Sequence, residues 1–281
     1  MRILITGAGG MLGHDVREAA ARGGHAPVTL ARAELDITDA AAVRAAIAAA
    51  RPDAVINCAA WTNVDGAESA REQALAVNGA GAGHVAAAAQ AAGAWTIQVS
   101  SDYVFDGAKT GPYVESDPVG PVSAYGASKL EGERAVATAA PARHTIVRTA
   151  WLFGAHGHCF PKTMLRLAAE RDHLTVVSDQ VGCPTFTGHL APVLVALAAD
   201  PRPGVLHVAA AGQCSWCEFA TAIVAAGARD CAVRPIPTAQ YPTPATRPAN
   251  SVLVSERGAP VLPGWPEGLR AFMNETAGVA A

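Results

Sequence analysis

Short apolar runs rich in β-branched residues recur through the first half of the chain: RILIT at 2–6, APVTL at 26–30, DAVINCAA at 53–60, WTIQVSS at 95–101 and HTIVRTAW at 144–151. Their apolar character is continuous rather than alternating, which predicts strands buried on both faces. Between them lie the alanine-rich stretches GHDVREAAARG, DAAAVRAAIAAARP and NGAGAGHVAAAAQAAG. These have helix-forming composition and end at glycine or proline, and Asp39 stands where an N-cap belongs ahead of the second. Strand and helix alternate five times. That alternation predicts a Rossmann-like doubly wound α/β fold, a parallel sheet with right-handed crossovers and helices on both faces.

Beyond residue 151 the rhythm loosens. TVVSDQVGCPTF (175–186) and VLHVAA (205–210) read as further strands, FPKTMLRLAAE and HLAPVLVALAA as helices, and prolines crowd residues 235 to 266. The expected organisation is a main unit over 1–150 and a smaller carboxy-terminal region over 151–281, interleaved by one strand that returns to the main sheet.

Composition narrows the classes of function. With 16% charged residues and a formal net charge of −3, no basic surface is available to hold a phosphate backbone non-specifically, so nucleic acid is not an expected partner. No run approaches the roughly 20 apolar residues of a membrane-spanning helix, and the amino terminus meets glycine before any long apolar core, so no membrane association and a cytoplasmic location are expected. Six cysteines are spread through the chain without the density of a disulfide scaffold, and reduced thiols are expected. Cys214 and Cys217 form a C-x-x-C with no second pair at zinc-ribbon spacing. HGHC at 156–159 has no carboxylate or further histidine nearby in sequence and reads as a polar loop at a cleft edge.

ITGAGGMLGHD follows the first predicted strand and opens the first predicted helix. Leu12 occupies the position that would complete a G-x-G-x-x-G, so the pattern is the looser G-x-x-G-x-x-G of Gly7, Gly10 and Gly13. Glycines there let the backbone approach a pyrophosphate, whose charge meets unpaired N–H groups at the positive end of a helix. A tight turn without a ligand is the plainer reading of the same residues. At the end of the second strand TLARAELD carries Arg32 where an NAD site usually places an acid, which favours NADPH and leaves NADH open. Arg32 as a solvated charge is the alternative.

Reducing a ketone leaves an alkoxide, which needs a proton donor within hydrogen-bond reach. In AYGASKLEGE, Tyr125 and Lys129 are spaced i, i+4 on one helical face, so the ammonium is expected to lower the pKa of the phenol and to reach cofactor ribose hydroxyls. The motif alone equally describes a surface helix with a packed tyrosine and a solvated lysine. Ser101, at the end of the fourth predicted strand, supplies a hydroxyl at the sheet edge where doubly wound folds bind ligands.

Together these features resemble the extended short-chain dehydrogenase/reductase superfamily. SSDYVFDG, YGASKLEGE, RTAWLFG, TMLRLAAERDHLTVVSDQVGCPT and YPTPATRPANSVL resemble, in order and over nearly the whole chain, the dTDP-4-dehydrorhamnose reductase family. That resemblance implies Tyr125 as general acid with Lys129 as partner, Ser101 at a position often occupied by threonine, and Asp102 tuning proton transfer. It implies cofactor contacts from Gly10, Met11, Leu12, Asp36, Ile37, Ala60, Trp61 and Thr62. It implies substrate contacts from Val64, Tyr103 and Trp151, and a diphosphate contact from Arg247. Core packing for Tyr103 and Trp151, and a surface charge for Arg247, are the plainer readings. The implied reaction is NADPH-dependent reduction of a dTDP-4-keto-6-deoxy sugar by residues 1–150 as the dinucleotide-binding part and 151–281 as the substrate-binding part. A homodimer is one of the oligomeric states left open.

Some relatives dimerise through magnesium held by carboxylates. The matching positions here are Asp15, Gly188 and Glu275, one ligand short, so no structural metal is expected. A sugar-nucleotide dehydratase or epimerase is the rival enzyme class, but dehydratases of this superfamily usually carry Thr-Asp-Glu where this chain has Ser101, Asp102 and Tyr103. A non-catalytic binding protein like the regulatory subunit of methionine adenosyltransferase is the third reading, and an intact Tyr125, Lys129 and Ser101 set argues against it.

Overall fold

The computed structural model describes residues 1–279. Its centre is a six-stranded sheet in which every neighbouring pair is parallel. The strands are β1 (Arg2–Thr6), β2 (Ala26–Leu30), β3 (Ala54–Asn57), β4 (Trp95–Ser101), β5 (His144–Thr149) and a last strand, Gly204–His207. The order across the sheet is Gly204–His207, β5, β4, β3, β1, β2. All five predicted strands form, and the apolar run at 205–210 supplies the sixth beside β5. The direction of strand addition reverses at β1, between β2 and β3, and such a switch point opens a crevice at the carboxyl edge of the sheet.

Helices cover both faces: α1 (Met11–Arg22), α2 (Ala40–Ala50), α3 (Val64–Ser69), α4 (Arg71–Leu75), α5 (Ala82–Ala91) and α6 (Ala124–Ala139). Asp39 caps α2 by accepting from the Ala41 and Ala42 amides, and Ser123 caps α6 through the Gly126 amide. Because sheet and helices bury aliphatic faces against each other, Ile3, Ile5, Ile56 and Ile97 form one core with α1 on one side. Leu4, Val55, Val43 and Ile47 form a second core on the other. The third alanine-rich stretch is not one regular helix. α4 and α5 are joined by a π-helical turn over Ala76–Gly81, and such an extra residue often marks a functional site.

The carboxy-terminal region adds α7 (Phe160–Glu170), α8 (Thr187–Ala199), α9 (Trp216–Ala226) and α10 (Trp265–Val279). The stretch 175–186 breaks into three short strands rather than one: His173–Val177, Val181–Gly182 and Thr185–Phe186. The breaks have local causes. Asp179 turns away to accept from the Thr238 amide and hydroxyl, and Pro184 has no N–H to continue a ladder. Phe153, Phe219, Phe272 and Met164 pack a separate aromatic core beneath α7, α9 and α10.

Candidate active site

The glycine turn after β1 is shaped by two close approaches. Gly7 has φ +66°, and a Cβ there would lie 2.6 Å from the Ala59 nitrogen; a Cβ on Gly13 would lie 2.4 Å from the Gly7 carbonyl oxygen. Glycine at both is therefore required for β1, the β3 exit and α1 to converge. Gly10 is the N-cap of α1 and brings no side-chain cap, so the first-turn amides and the positive end of the helix are left for an anion. Arg32 is exposed and lines the same cleft with Asp36 and Ile37. Asp36 accepts from the Thr38 amide and hydroxyl, which hold its carboxyl below the usual range.

The opposite wall is built by β4 and α6. Lys129 is 5% exposed and donates from Nζ to the Val99 carbonyl at 2.7 Å. Burial pushes its pKa down to about 8, partly opposed by the Glu133 carboxylate one turn on. Tyr125 behaves differently from the expectation of an acidified phenol. Burial pushes it up to about 12; hydrogen bonding with Ser101 lowers it and the Asp102 charge raises it, while Lys129 is not among the causes. The reason is geometric: the ammonium is turned to the strand backbone. Ser101 donates to Asp102 Oδ1 at 2.8 Å and accepts from the Tyr103 amide. Asp102 is 2% exposed, and desolvation raises its pKa to about 6 against the bonds from Ser251 and Ser101.

Every candidate site residue lines one cleft of about 1100 Å³: Gly7, Gly10, Met11, Leu12 and Gly13 of the glycine turn, Arg32, Asp36 and Ile37, Ala60, Trp61, Thr62 and Val64, Ser101, Asp102 and Tyr103, Tyr125, Lys129, Trp151 and Arg247. Tyr103 meets Tyr125 edge to face with centroids 5.5 Å apart. Trp151 adopts φ +47°, a left-handed conformation that is costly for a bulky residue. Its indole is held by stacking on Trp216 at 3.5 Å and 4°, in space opened because residue 182 is glycine. Arg247 is locked on the other rim by Asp65, with NH2 2.8 Å from Oδ2.

Sequence reasoning missed two contributors. Trp216, between the cysteines of CSWC, faces both this cleft and an adjoining cavity of about 540 Å³ that also reaches Phe160, Tyr241 and Arg247. The flanking C-x-x-C carries no bond of its own, and all six thiols are free. Asn78, on the π-helical turn, donates to the Ser128 hydroxyl and the Trp61 carbonyl and accepts from the Trp61 amide. It thereby ties the Trp61 loop to α6. Its only sequence signal was a lone asparagine at the edge of an alanine-rich run.

The HGHC loop is more than a cleft edge. His156 stacks on His14 with centroids 3.4 Å apart, and donor atoms of His14, Asp15 and His156 lie within 4.8 Å of one another. Residues 14 and 156 meet only through the packing of α1 against the loop ahead of α7, so sequence proximity could not reveal them.

A glycine-cradled helix start facing a tyrosine, lysine and serine across one cleft of a doubly wound sheet is the arrangement of a dinucleotide-dependent oxidoreductase of the extended short-chain dehydrogenase/reductase class. The chain matches the RmlD substrate binding domain family over residues 1–277. It is 46% identical to a dTDP-4-dehydrorhamnose reductase of Burkholderia thailandensis, over 94% of this chain and 95% of that one. It is 43% identical to a dTDP-4-keto-6-deoxy-D-glucose reductase of Streptomyces niveus, over 90% of this chain and 88% of that one. The crystal structure of a dTDP-4-dehydrorhamnose reductase from Bacillus anthracis in complex with NADP superposes with a TM-score of 0.95 at 38% identity, over 98% and 99% of the two chains. The chain belongs to the dTDP-4-dehydrorhamnose reductase family.

Proposed function

We propose that this protein reduces the 4-keto group of a dTDP-4-keto-6-deoxy-L-hexose with NADPH, giving dTDP-L-rhamnose or a close deoxysugar analogue. The observation that carries the reading is the convergence of Tyr125, Lys129 and Ser101 with the glycine turn in a single cleft. Residues 1–150 supply most of the dinucleotide wall and residues 151–281 most of the sugar-nucleotide wall.

The bound nicotinamide supplies the hydride. Its diphosphate would meet the amides of Met11 and Leu12 beside Gly10, whose own amide donates to the Gly7 carbonyl, at a turn where any side chain at position 7 or 13 would collide with backbone. Asp36, Ile37, Ala60, Trp61 and Thr62, which line the same cleft, would border the adenosine and ribose, and Arg32 would meet the 2′-phosphate. Tyr125 protonates the C4 oxygen; because its pKa lies far above neutrality, the proton is in place before reaction. Ser101, which donates to Asp102 in this structure, redirects its proton to the same oxygen as charge develops. Lys129 spends one donor on Val99 and holds ribose hydroxyls with the others. Tyr103, Trp151 and Val64 border the sugar, Arg247 binds the diphosphate of dTDP, and the adjoining cavity receives the thymidine. The six free thiols suit the reducing cytoplasm, and no helix among the described residues is long and apolar enough to cross a membrane.

The test is NADPH oxidation against a panel of dTDP-4-keto-6-deoxy sugars, with product configuration read by NMR; no turnover with any of them sinks the proposal. NADPH is expected to bind more tightly than NADH, and Arg32→Ala should shrink that ratio by about tenfold, one lost charged contact. A wild-type preference for NADH removes Arg32 from the account.

We also propose that no structural magnesium is held. Gly188 offers no side-chain ligand, and the imidazoles beside Asp15 are poor ligands for a hard cation that prefers oxygen. Elemental analysis of protein purified without chelator should show magnesium well below one per chain; a stoichiometric amount refutes this.

A further inference from the structure

Asp65 and Arg247 lie 182 residues apart and meet at the rim of the cleft. Arg247 NH1 donates to Asp65 Oδ1 at 3.1 Å and NH2 donates to Oδ2 at 2.8 Å. NH1 also donates to the Thr243 hydroxyl and the Ala245 carbonyl, and Asp65 Oδ1 accepts from the Ala245 amide. The carboxylate thus takes the end of the guanidinium formed by its two terminal nitrogens. Nε and the second hydrogen of NH2 make no hydrogen bond among the described residues. In a planar guanidinium those two N–H groups are parallel and form the second fork that fits an oxyanion bidentately. Arg247 lines both the main cleft and the adjoining cavity and keeps 22% of its side chain exposed.

We propose that Asp65 is a positioning residue for sugar-nucleotide binding: it clamps one edge of Arg247 so that the free edge is presented, already oriented, to the substrate diphosphate. The inference rests on the reading of Arg247 as the diphosphate ligand. Asp65 itself touches no substrate. Its carboxyl is held well below the usual range, chiefly by the hydrogen bond from Arg247, so the clamp is ionised throughout the working pH range. Orienting a flexible arginine before binding removes an ordering penalty that would otherwise weaken the complex.

The test uses the full-length protein with dTDP and with thymidine as calorimetric probes, alongside steady-state kinetics. Asp65→Asn keeps one acceptor for the Ala245 amide but loses the charge and the second acceptor for the fork. It should weaken dTDP about tenfold, one misplaced charged contact. Thymidine, which has no diphosphate, should bind as before, and so should NADPH. KM for the keto sugar should rise while kcat stays within about twofold, since the clamp acts on binding shared by ground and transition states. In an Arg247→Ala background, Asp65→Asn should add no further loss. If Arg247→Ala itself leaves dTDP binding unchanged, the diphosphate role of Arg247 fails and the proposal falls with it. If Arg247→Ala weakens dTDP and Asp65→Asn does not, only the clamp is overturned. Tighter dTDP binding by Asp65→Asn also overturns it, because Asp65 would then compete with the ligand. Asp65→Glu, which keeps the charge one methylene further out, is the second variant: dTDP affinity falls while the melting temperature holds.

Discussion

Tyr125→Phe lowers kcat on the order of 10²–10⁴-fold, the usual contribution of a positioned general acid, while NADPH binding stays unchanged. The phenol lines the cleft with Ser101, and phenylalanine keeps the ring contact with Tyr103, so the loss is chemical rather than structural. Stopped-flow NADPH oxidation with single-turnover controls separates the two, and near-normal turnover removes Tyr125 from the mechanism. The same site sets an alkaline limit. Burial brings the pKa of the Lys129 ammonium down to about 8, so interactions that need its charge are complete well below that pH and are lost as pH rises through it. A kcat/KM profile should fall on this limb, and Lys129→Met should be slow at every pH with the limb absent. An unaltered limb in that variant assigns it to another group.

Glu133→Ala destabilises the fold by about 3–5 kcal/mol, because it leaves a buried guanidinium without a counter-charge. Arg148 donates to Glu133 from Nε at 2.9 Å and from NH2 at 2.7 Å, and Ser100 donates to the same carboxylate at 2.6 Å. Both charged side chains are nearly sealed, at 5% and 6% exposure, so water cannot replace the lost partner. For a chain of this size the melting temperature should drop by roughly 10 °C. Glu133 also raises the Lys129 pKa, so the alkaline limb should move to lower pH in Glu133→Ala. The pair Glu133→Leu with Arg148→Met, which removes both charges, should recover most of the stability. A single-variant melting temperature within about 2 °C of wild type would mean the pair contributes no more than an ordinary surface contact.

Legibility in the sequence followed the range of the interactions involved. β1 to β5 were readable because a strand buried on both faces must be apolar over consecutive residues. The caps at Asp39 and the helix carrying Tyr125 and Lys129 were readable because capping and i, i+4 spacing act within a few residues. The helix over Trp216–Ala226 opens on a local signal too, the capping box of Ser215 and Glu218, but the role of Trp216 was not readable, because it depends on Trp151 in an unusual backbone conformation stacking across 65 positions. The expected acidification of Tyr125 by Lys129 failed for a related reason. Spacing places two residues on one face, but the direction of a flexible lysine is chosen by whichever acceptor packs above it, here the Val99 carbonyl.

By itself the sequence determined the α/β class, the glycine-lined entry to α1, the Tyr125, Lys129 and Ser101 set and the family resemblance, since local propensity and short spacings carry all of these. Only the tertiary structure decided how those groups work together. It turned Lys129 to the strand backbone, set Glu133 against Arg148, joined Asp65 to Arg247 and brought His14 to His156. Each of these pairings is fixed by the packing of elements far apart in the chain, where burial and long-range hydrogen bonding, not local sequence, select the partner.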